Sequence, residues 1–147
     1  MSGARGPGDP AVTADEVNAF IGAQLPFCAQ MNISCAAVGS DRGVTRFAYD
    51  DRWTRPGSIV CGPVLMALAD VAVYVAIFSR AGIMAMTVTN ELKINFLRPA
   101  IGHDLIAQAT LHKLGRRIAY ASVDITEDHA PERLVAHATA SYVLPVG

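Results

Sequence analysis

The residue best suited to chemistry is an acid inside the most apolar segment of the chain. Asp70 lies in the middle of residues 59–78, where almost every other side chain is hydrophobic or small. An unpaired buried carboxylate is costly, so such a residue has either a partner or a function. Asp70 is therefore a candidate nucleophile or general base. The alternative is a structural carboxylate that caps a backbone group or pairs with an arginine across a subunit interface.

The segment around Asp70 has the start and stop signals of one helix. Pro63 suits the first helical position, and Gly82 suits the position after the last turn. These signals predict a helix of about 18 residues, near 27 Å long at ~1.5 Å per residue. By hydropathy alone the segment also looks like a membrane span. An ionised Asp70 would cost roughly 2.5–3.5 kcal/mol in lipid, so we expect a helix buried in protein and no membrane partner.

The composition indicates a folded protein that hides part of its surface in an assembly. Hydrophobic residues make up 52% of the 147 residues and charged residues 17%. A monomer this apolar would leave hydrophobic surface in water, so we expect a homo-oligomer. The formal net charge of −1 argues against nucleic acid as a partner. Residues 1–12 are predicted to form a flexible tail, followed by a single domain over 13–147.

The cysteines and histidines give no sign of a disulfide framework or a metal centre. Cys28, Cys35 and Cys61 have no paired spacing, and the four histidines do not cluster with them. The chain start has no apolar segment of the signal-peptide type. We therefore expect a reduced, cytoplasmic protein with no metal site and no separate cofactor.

The remaining elements follow from capping and alternation. Thr13-Ala-Asp-Glu16 is a capping-box pattern that predicts a helix as far as about Gln24. Residues 33–38 and 44–49 are predicted strands, joined by a turn over 39–43. Apolar residues then recur at every second position within 92–96, 105–111, 119–125 and 134–142, which is typical of an antiparallel sheet.

Alanine recurs on one face of these predicted strands, which lets a bulky helix pack close to the sheet. The alanines are Ala107, Ala109, Ala119, Ala121, Ala136, Ala138 and Ala140. Because the segment around Asp70 is apolar on almost all sides, its helix should be nearly enclosed. The expected fold is α+β, an antiparallel sheet wrapped around one long central helix.

Three segments carry a resemblance to a known family. Residues 57–72 contain Leu-Ala-Asp70 on the predicted helix, residues 92–100 contain Asn-Phe-Leu-Arg-Pro, and residues 115–119 read Gly-Arg-Arg-Ile-Ala. In order and spacing, these segments resemble the hot-dog-fold acyl-CoA thioesterases of the PaaI-like type. The resemblance covers roughly residues 33–144 and is more specific for the fold than for the activity.

The resemblance implies an activity and roles for three residues. Family members hydrolyse acyl-CoA thioesters with a helix-borne acid, which matches Asp70 as nucleophile or as general base on a water. A backbone N–H at the helix start polarises the thioester carbonyl, and Gly62 occupies that position. A hydroxyl residue on the following strand often assists, and Thr89 lies about there. The family works as dimers or dimers of dimers, with sites between subunits, and coenzyme A enters only as part of the substrate.

The helix geometry supports a shared site independently. Gly62 and Asp70 are eight residues apart, or about 12 Å along a helix at ~1.5 Å per residue. One carbonyl carbon cannot lie within about 3.5 Å of both groups in one chain. Two chains packed antiparallel would bring Gly62 of one chain near Asp70 of the other, where the helix dipole would stabilise a developing oxyanion.

The chain departs from the family pattern beside Gly62. Cys61 stands where the family has His, Pro63 replaces a second glycine and has no N–H, and Arg55 lies where an amide residue is common. The residues predicted to contact substrate are Arg55, Cys61, Pro63, Tyr74, Asn90, Arg116 and Arg117. Arginines at these positions would bind an anionic acyl group or the phosphates of coenzyme A, or would be solvated loop residues.

Three functional hypotheses follow. The first is an acyl-CoA thioesterase that uses Asp70 and the Gly62 amide. The second is a non-catalytic dimer that binds acyl-CoA or another ligand, which the changes at Cys61 and Pro63 would favour. The third is a hot-dog dehydratase or hydratase. The lack of a histidine beside Asp70 argues against this third hypothesis.

Overall fold

The computed structural model describes residues 4–146, which form three α-helices, one short 3-10 helix (Asp51–Trp53) and eight strands. The helices are α1 (Ala14–Gln24), α2 (Pro26–Gln30) and α3 (Gly62–Ala81). The strands are β1 (Ile33–Gly39), β2 (Arg42–Phe47), β3 (Thr54–Arg55), β4 (Ile59–Val60), β5 (Val88–Phe96), β6 (Leu105–Leu114), β7 (Ile118–Glu127) and β8 (Leu134–Val143).

Six of the strands form one antiparallel sheet that packs around α3. The strand order is β1-β2-β6-β7-β8-β5, and the short strands β3 and β4 pair separately. Helix α3 contacts every strand of the large sheet. The prediction of a hot-dog fold, with a sheet wrapped around a long central helix, is confirmed.

Helix α3 begins and ends where its sequence signals predicted. Pro63 lies in its first turn, and Gly82 follows it with φ 79°, a left-handed conformation that favours glycine. The helix is long and apolar enough to cross a membrane, but 67% of its most apolar window is buried inside the domain. Its apolar surface is thus used for packing against the sheet.

Small residues on the sheet allow this close packing. The seven alanines of the predicted stripe are all buried, each at most 2% exposed. On β2, Gly43 lies so close to α3 that an added Cβ would be 2.6 Å from the backbone nitrogen of Ala76 and 2.7 Å from the carbonyl oxygen of Ala72. The interior therefore depends on alanine and glycine at the helix–sheet contact.

Several element boundaries differ from the predictions. The turn between β1 and β2 is tighter than expected, because Asp41 adopts φ 59° and lets β2 begin at Arg42. Strand β5 begins at Val88 rather than Leu92, and its pairing with β8 is irregular between Thr89 and Glu91. This bulge interrupts the alternation that marks a strand.

The N-terminal end of the domain is packed onto helix α3. Thr13 caps α1 as predicted, its side chain accepting a hydrogen bond from the backbone N–H of Glu16. Val12 is buried, and the Ala11 N–H donates to the carbonyl of Ser79 at 2.7 Å. The packed part of the domain thus includes residues 11 and 12 of the predicted tail 1–12. The flexibility of this tail stays a prediction, and its residues 1–3 lie outside the described part of the chain.

Candidate active site

The Asp70 carboxylate is held by two hydroxyl groups from neighbouring strands. The hydroxyl of Thr89, on β5, donates to Oδ1 of Asp70 at 2.8 Å. The hydroxyl of Tyr142, on β8, donates to the same oxygen and to the Asp70 backbone carbonyl, the latter at 2.6 Å. Strand pairing explains the arrangement, because Thr89 lies directly opposite Tyr142 in the sheet. The predicted pair of Asp70 and Thr89 is therefore brought together, with a third residue added.

Asp70 opens into a cavity of about 260 Å³ between α2, α3 and the end of the sheet. The lining residues are Leu25, Phe27, Asp70, Val71, Tyr74, Thr87, Val88, Thr89 and Tyr142. Most of this lining is apolar, and the cavity is large enough for a small acyl group. The hydroxyl of Thr87 is buried without a hydrogen-bond partner among residues 4–146.

The ionisable groups around Asp70 stay protonated and carry no positive charge. Burial, and secondarily the charge of Asp70, raises the pKa of both Tyr74 and Tyr142, so both remain hydrogen-bond donors near neutral pH. The same two causes raise the pKa of Cys28 to about 11. Within residues 4–146, no Lys, Arg or His forms an ion pair with Asp70.

The start of helix α3 lies in a second cavity, of about 330 Å³. Its lining residues are Arg55, Ile59, Val60, Gly62, Leu65, Phe96, Leu97, Arg98, Pro99 and Ala100. Gly62 is the first residue of α3, so its N–H has no acceptor within the helix. Pro63 has no N–H, and the N–H of Val64 donates to the Cys61 carbonyl at 3.0 Å. Gly62 thus supplies the backbone donor at this helix end.

The other predicted substrate contacts are spread over the surface. Tyr74 lines the cavity of Asp70, and Arg55 lines the cavity of Gly62. Cys61 is half-buried before helix α3, and Asn90 donates from its side chain to the Ser141 hydroxyl at 3.0 Å.

Two further arginines lie on the β6–β7 hairpin. Arg116 and Arg117 are exposed and line neither of these two cavities. Together with Cys61, Pro63 and Asn90, they remain predictions as substrate contacts.

Two residues at these cavities were not predicted from the sequence. Tyr142 was recognised only as part of the apolar stripe on β8. A buried tyrosine usually needs a hydroxyl partner, which was the available signal. Arg98 belongs to the Asn-Phe-Leu-Arg-Pro segment; it lines the Gly62 cavity and donates to the Leu134 carbonyl at 2.6 Å.

Comparison with known proteins agrees with this fold. A family model, the thioesterase superfamily, matches residues 57–132, which include helix α3 with Gly62 and Asp70. A search of curated protein sequences gives no significant match.

Three solved structures are similar to this chain, and one of them is similar enough in sequence to indicate the same family. A candidate thioesterase from Silicibacter sp. TM1040 is 31% identical, with a TM-score of 0.84, and the match covers 95% of this chain and 96% of that one. A thioesterase from Haemophilus influenzae is 22% identical with a TM-score of 0.80, covering 91% of each chain. The PaaI protein of the Escherichia coli phenylacetic acid degradation operon is 20% identical with a TM-score of 0.79, covering 91% and 94%.

At these lower identities, the Haemophilus and Escherichia structures indicate the fold alone. The family model spans about half of this chain, and the Silicibacter protein matches nearly all of it. Thioester hydrolysis is the general chemistry that this membership supports. The chain therefore belongs to the thioesterase superfamily and has the hot-dog fold of its PaaI-like members.

Proposed function

We propose that the protein hydrolyses an acyl-CoA or a related thioester to a free acid and a thiol. The observation that carries this proposal is the Asp70 carboxylate, fixed by Thr89 and Tyr142 at an apolar cavity of about 260 Å³. Both hydroxyls bind Oδ1, and no hydrogen bond to Oδ2 is found within residues 4–146. The second oxygen is thus free to act on a water or on the substrate.

In the general-base route, Asp70 takes a proton from a water while the water oxygen attacks the thioester carbonyl carbon. The negative charge that develops on the carbonyl oxygen is stabilised by the Gly62 N–H at the positive end of the helix dipole. Collapse of the intermediate breaks the C–S bond, and the proton on Asp70 passes to the leaving thiolate. In the alternative route, Asp70 itself attacks the carbonyl carbon, and the C–S bond breaks to release the thiolate. Water then hydrolyses the mixed anhydride to the free acid and the Asp70 carboxylate, and the proton that water gives up neutralises the thiolate.

We place this reaction between two protomers, because Gly62 and Asp70 line separate cavities of one chain. Both cavities have exposed apolar residues at their edges. Phe96 and Leu97 are each 52% exposed beside Gly62, and Val88 is 60% exposed beside Asp70. Strand β5, which links the two cavities, has an unpaired edge. A second copy packed antiparallel on β5 would cover this surface and join each Gly62 cavity to a partner's Asp70 cavity.

The substrate assignment follows from the charges around these cavities. Arg55 and Arg98 line the Gly62 cavity and would bind the phosphates of coenzyme A, with Arg116 and Arg117 as further candidates. The acyl group would lie in the apolar cavity beside Asp70. Within the described residues all three cysteines are free, which fits the proposed cytoplasmic location.

The test is thiol release from aryl, short-chain and long-chain acyl-CoAs by the wild type and by Asp70→Asn. We expect hydrolysis of at least one class, and a kcat reduced about 10²- to 10⁴-fold in the variant, the usual contribution of a general base. Asp124→Asn is the matched control, because Asp124 is an exposed acid that contacts His137 on β8. Full activity of Asp70→Asn would show that this carboxylate is not the catalytic group.

A binding protein without catalysis is the second candidate, favoured by Cys61 and Pro63 at positions where the family has His and Gly. It predicts tight binding of an acyl-CoA by calorimetry with no thiol release from any substrate class. In that case neither the wild type nor Asp70→Asn would hydrolyse an acyl-CoA, and Asp70→Asn would still bind it.

A further inference from the structure

A cluster of two histidines and a glutamate lies at one end of the sheet, outside both cavities described above. His103 precedes β6, Glu127 ends β7, and His129 follows in the next turn. One ligand atom from each of the three lies within 4.8 Å of the others, and the two imidazole rings are 3.9 Å apart between centroids. The residues are 26 positions apart at their extremes, so no short motif marked them in the sequence.

Strand pairing explains why these three side chains converge. Leu105 lies opposite Glu127 in the β6–β7 ladder, and the Asp128 N–H extends the ladder by donating to the Asp104 carbonyl at 3.0 Å. Because directly paired residues lie on the same face of a sheet, Glu127 lies on the face of the buried Leu105. His103 and His129 lie in the bend before β6 and the turn after β7, each two residues from this pair.

The neighbouring acids are already paired with an arginine, and Nδ1 of His129 lies 3.9 Å from Oδ1 of one of them, Asp128. Asp104 and Asp128 both bind Arg46, whose guanidinium lies 2.7 Å and 2.9 Å from the two carboxylates. This arginine is thus committed to those acids and does not neutralise Glu127.

Glu127 is the acidic member of the cluster. The residue is only 8% exposed, and no hydrogen bond or ion pair to its carboxylate is found within residues 4–146. Among residues 4–146, Thr87 Oγ1 is the only fully buried side-chain oxygen or nitrogen without a partner, so the Glu127 oxygens are in contact with solvent and accessible to an ion. Ligand atoms of the two imidazoles lie within 4.8 Å of this carboxylate, and imidazoles are metal ligands in their neutral form.

We propose that His103, Glu127 and His129 bind a divalent transition-metal ion of the zinc type. Two imidazoles and one carboxylate suit zinc rather than calcium or magnesium, which prefer oxygen ligands. Ligand atoms around tetrahedral zinc are about 3.3–3.5 Å apart, given bonds of ~2.0–2.2 Å. Small side-chain rotations of the exposed histidines would close the present separation, and water would complete the coordination. The ion would tie the start of β6 to the end of β7.

The test is a zinc titration of chelator-treated protein by calorimetry, with cobalt absorption as a second readout of coordination. We expect one zinc per chain, with a Kd of roughly 10 µM or tighter. His129→Ala removes an exposed ligand without disturbing the core and should weaken binding at least tenfold. Zinc should also raise the Tm of the wild type but not that of His129→Ala.

Two matched variants separate this site from adventitious binding. His137→Ala removes a half-exposed histidine on β8, and Cys61→Ser removes the most accessible cysteine. Both should bind zinc as the wild type does. The proposal is overturned if the wild type does not bind zinc, if His129→Ala binds it equally well, or if Cys61→Ser abolishes binding. None of these outcomes depends on thioester hydrolysis.

Discussion

At the scale of single residues, the Asp70 carboxylate is held by hydroxyl groups and not by a cation. An arginine or lysine at this distance would neutralise the carboxylate and weaken it as a base. Thr89 and Tyr142 orient Oδ1 without adding a positive charge. The carboxylate is thus oriented beside an apolar cavity with no cation against it among the described residues, an arrangement that suits attack or proton transfer.

Tyr142 is a positioning residue in this arrangement. Tyr142→Phe should lower kcat about 10- to 100-fold, since a hydrogen bond to a charged group contributes ~1.5–3 kcal/mol, while KM changes much less. Steady-state kinetics on the best acyl-CoA measures both values. Tyr120→Phe, which alters an exposed tyrosine on β7, is the control. A wild-type kcat for Tyr142→Phe would contradict the positioning role.

The cysteines should differ in reactivity with thiol reagents. Cys28 and Cys35 are buried, and burial is the main cause that raises the pKa of each to about 11. At pH 8 a thiol with this pKa is only about one part in a thousand thiolate, the reactive form. A disulfide reagent followed by peptide mass spectrometry should label half-buried Cys61 first. Equal labelling of all three in the native protein would contradict this burial.

Sequence reasoning found Asp70 because a lone acid in an apolar helix is conspicuous, and it placed Thr89 by resemblance. It did not find Tyr142, since an inward tyrosine on β8 continues the apolar stripe and its contact with Asp70 spans 72 residues. His103, Glu127 and His129 were missed for the same reason, because their proximity depends on strand register.

At the scale of elements, the contact between β2 and α3 decides how tightly the sheet closes on the helix. Helix α3 was predictable from Pro63 and Gly82, which fix its ends. The start of β5 was not, because the bulge between Thr89 and Glu91 interrupts the alternation. That bulge matters for function, since the predicted catalytic Thr89 lies at its edge.

Gly43→Ala should destabilise the protein by about 1–3 kcal/mol or more, because the new Cβ would lie 2.6–2.8 Å from atoms of α3. Gly22→Ala is the matched control, since a Cβ there meets nothing within 4 Å. The Gly22→Ala substitution in α1 should instead raise the free energy of unfolding by ~0.5–1 kcal/mol. Urea unfolding measures both changes, and an unchanged stability of Gly43→Ala would contradict the close approach.

At the scale of the whole molecule, the arrangement of the two cavities predicts an assembly. One chain carries the amide donor at one end of α3 and the acid eight residues along it, with exposed apolar residues beside both. The excess of hydrophobic residues in the sequence indicated such an interface, and the fold adds that exposed apolar residues lie beside Gly62 and Asp70. Which residues cross the interface depends on a second chain.

The most direct test of the shared site combines two inactive variants. Asp70→Asn removes the acid, and Gly62→Pro removes the amide donor. Proline suits the first helical position, and Cys61 before it has the extended conformation that proline requires. Gly62→Ala, which keeps the N–H, is the control and should retain activity.

Each variant alone should be nearly inactive in thiol release. After refolding of an equimolar mixture, half of the dimers are mixed, and each mixed dimer has one intact site of two. Activity should therefore recover to about one quarter of the wild-type value. A mixture no more active than its separate components would contradict a site built from Gly62 of one protomer and Asp70 of its partner.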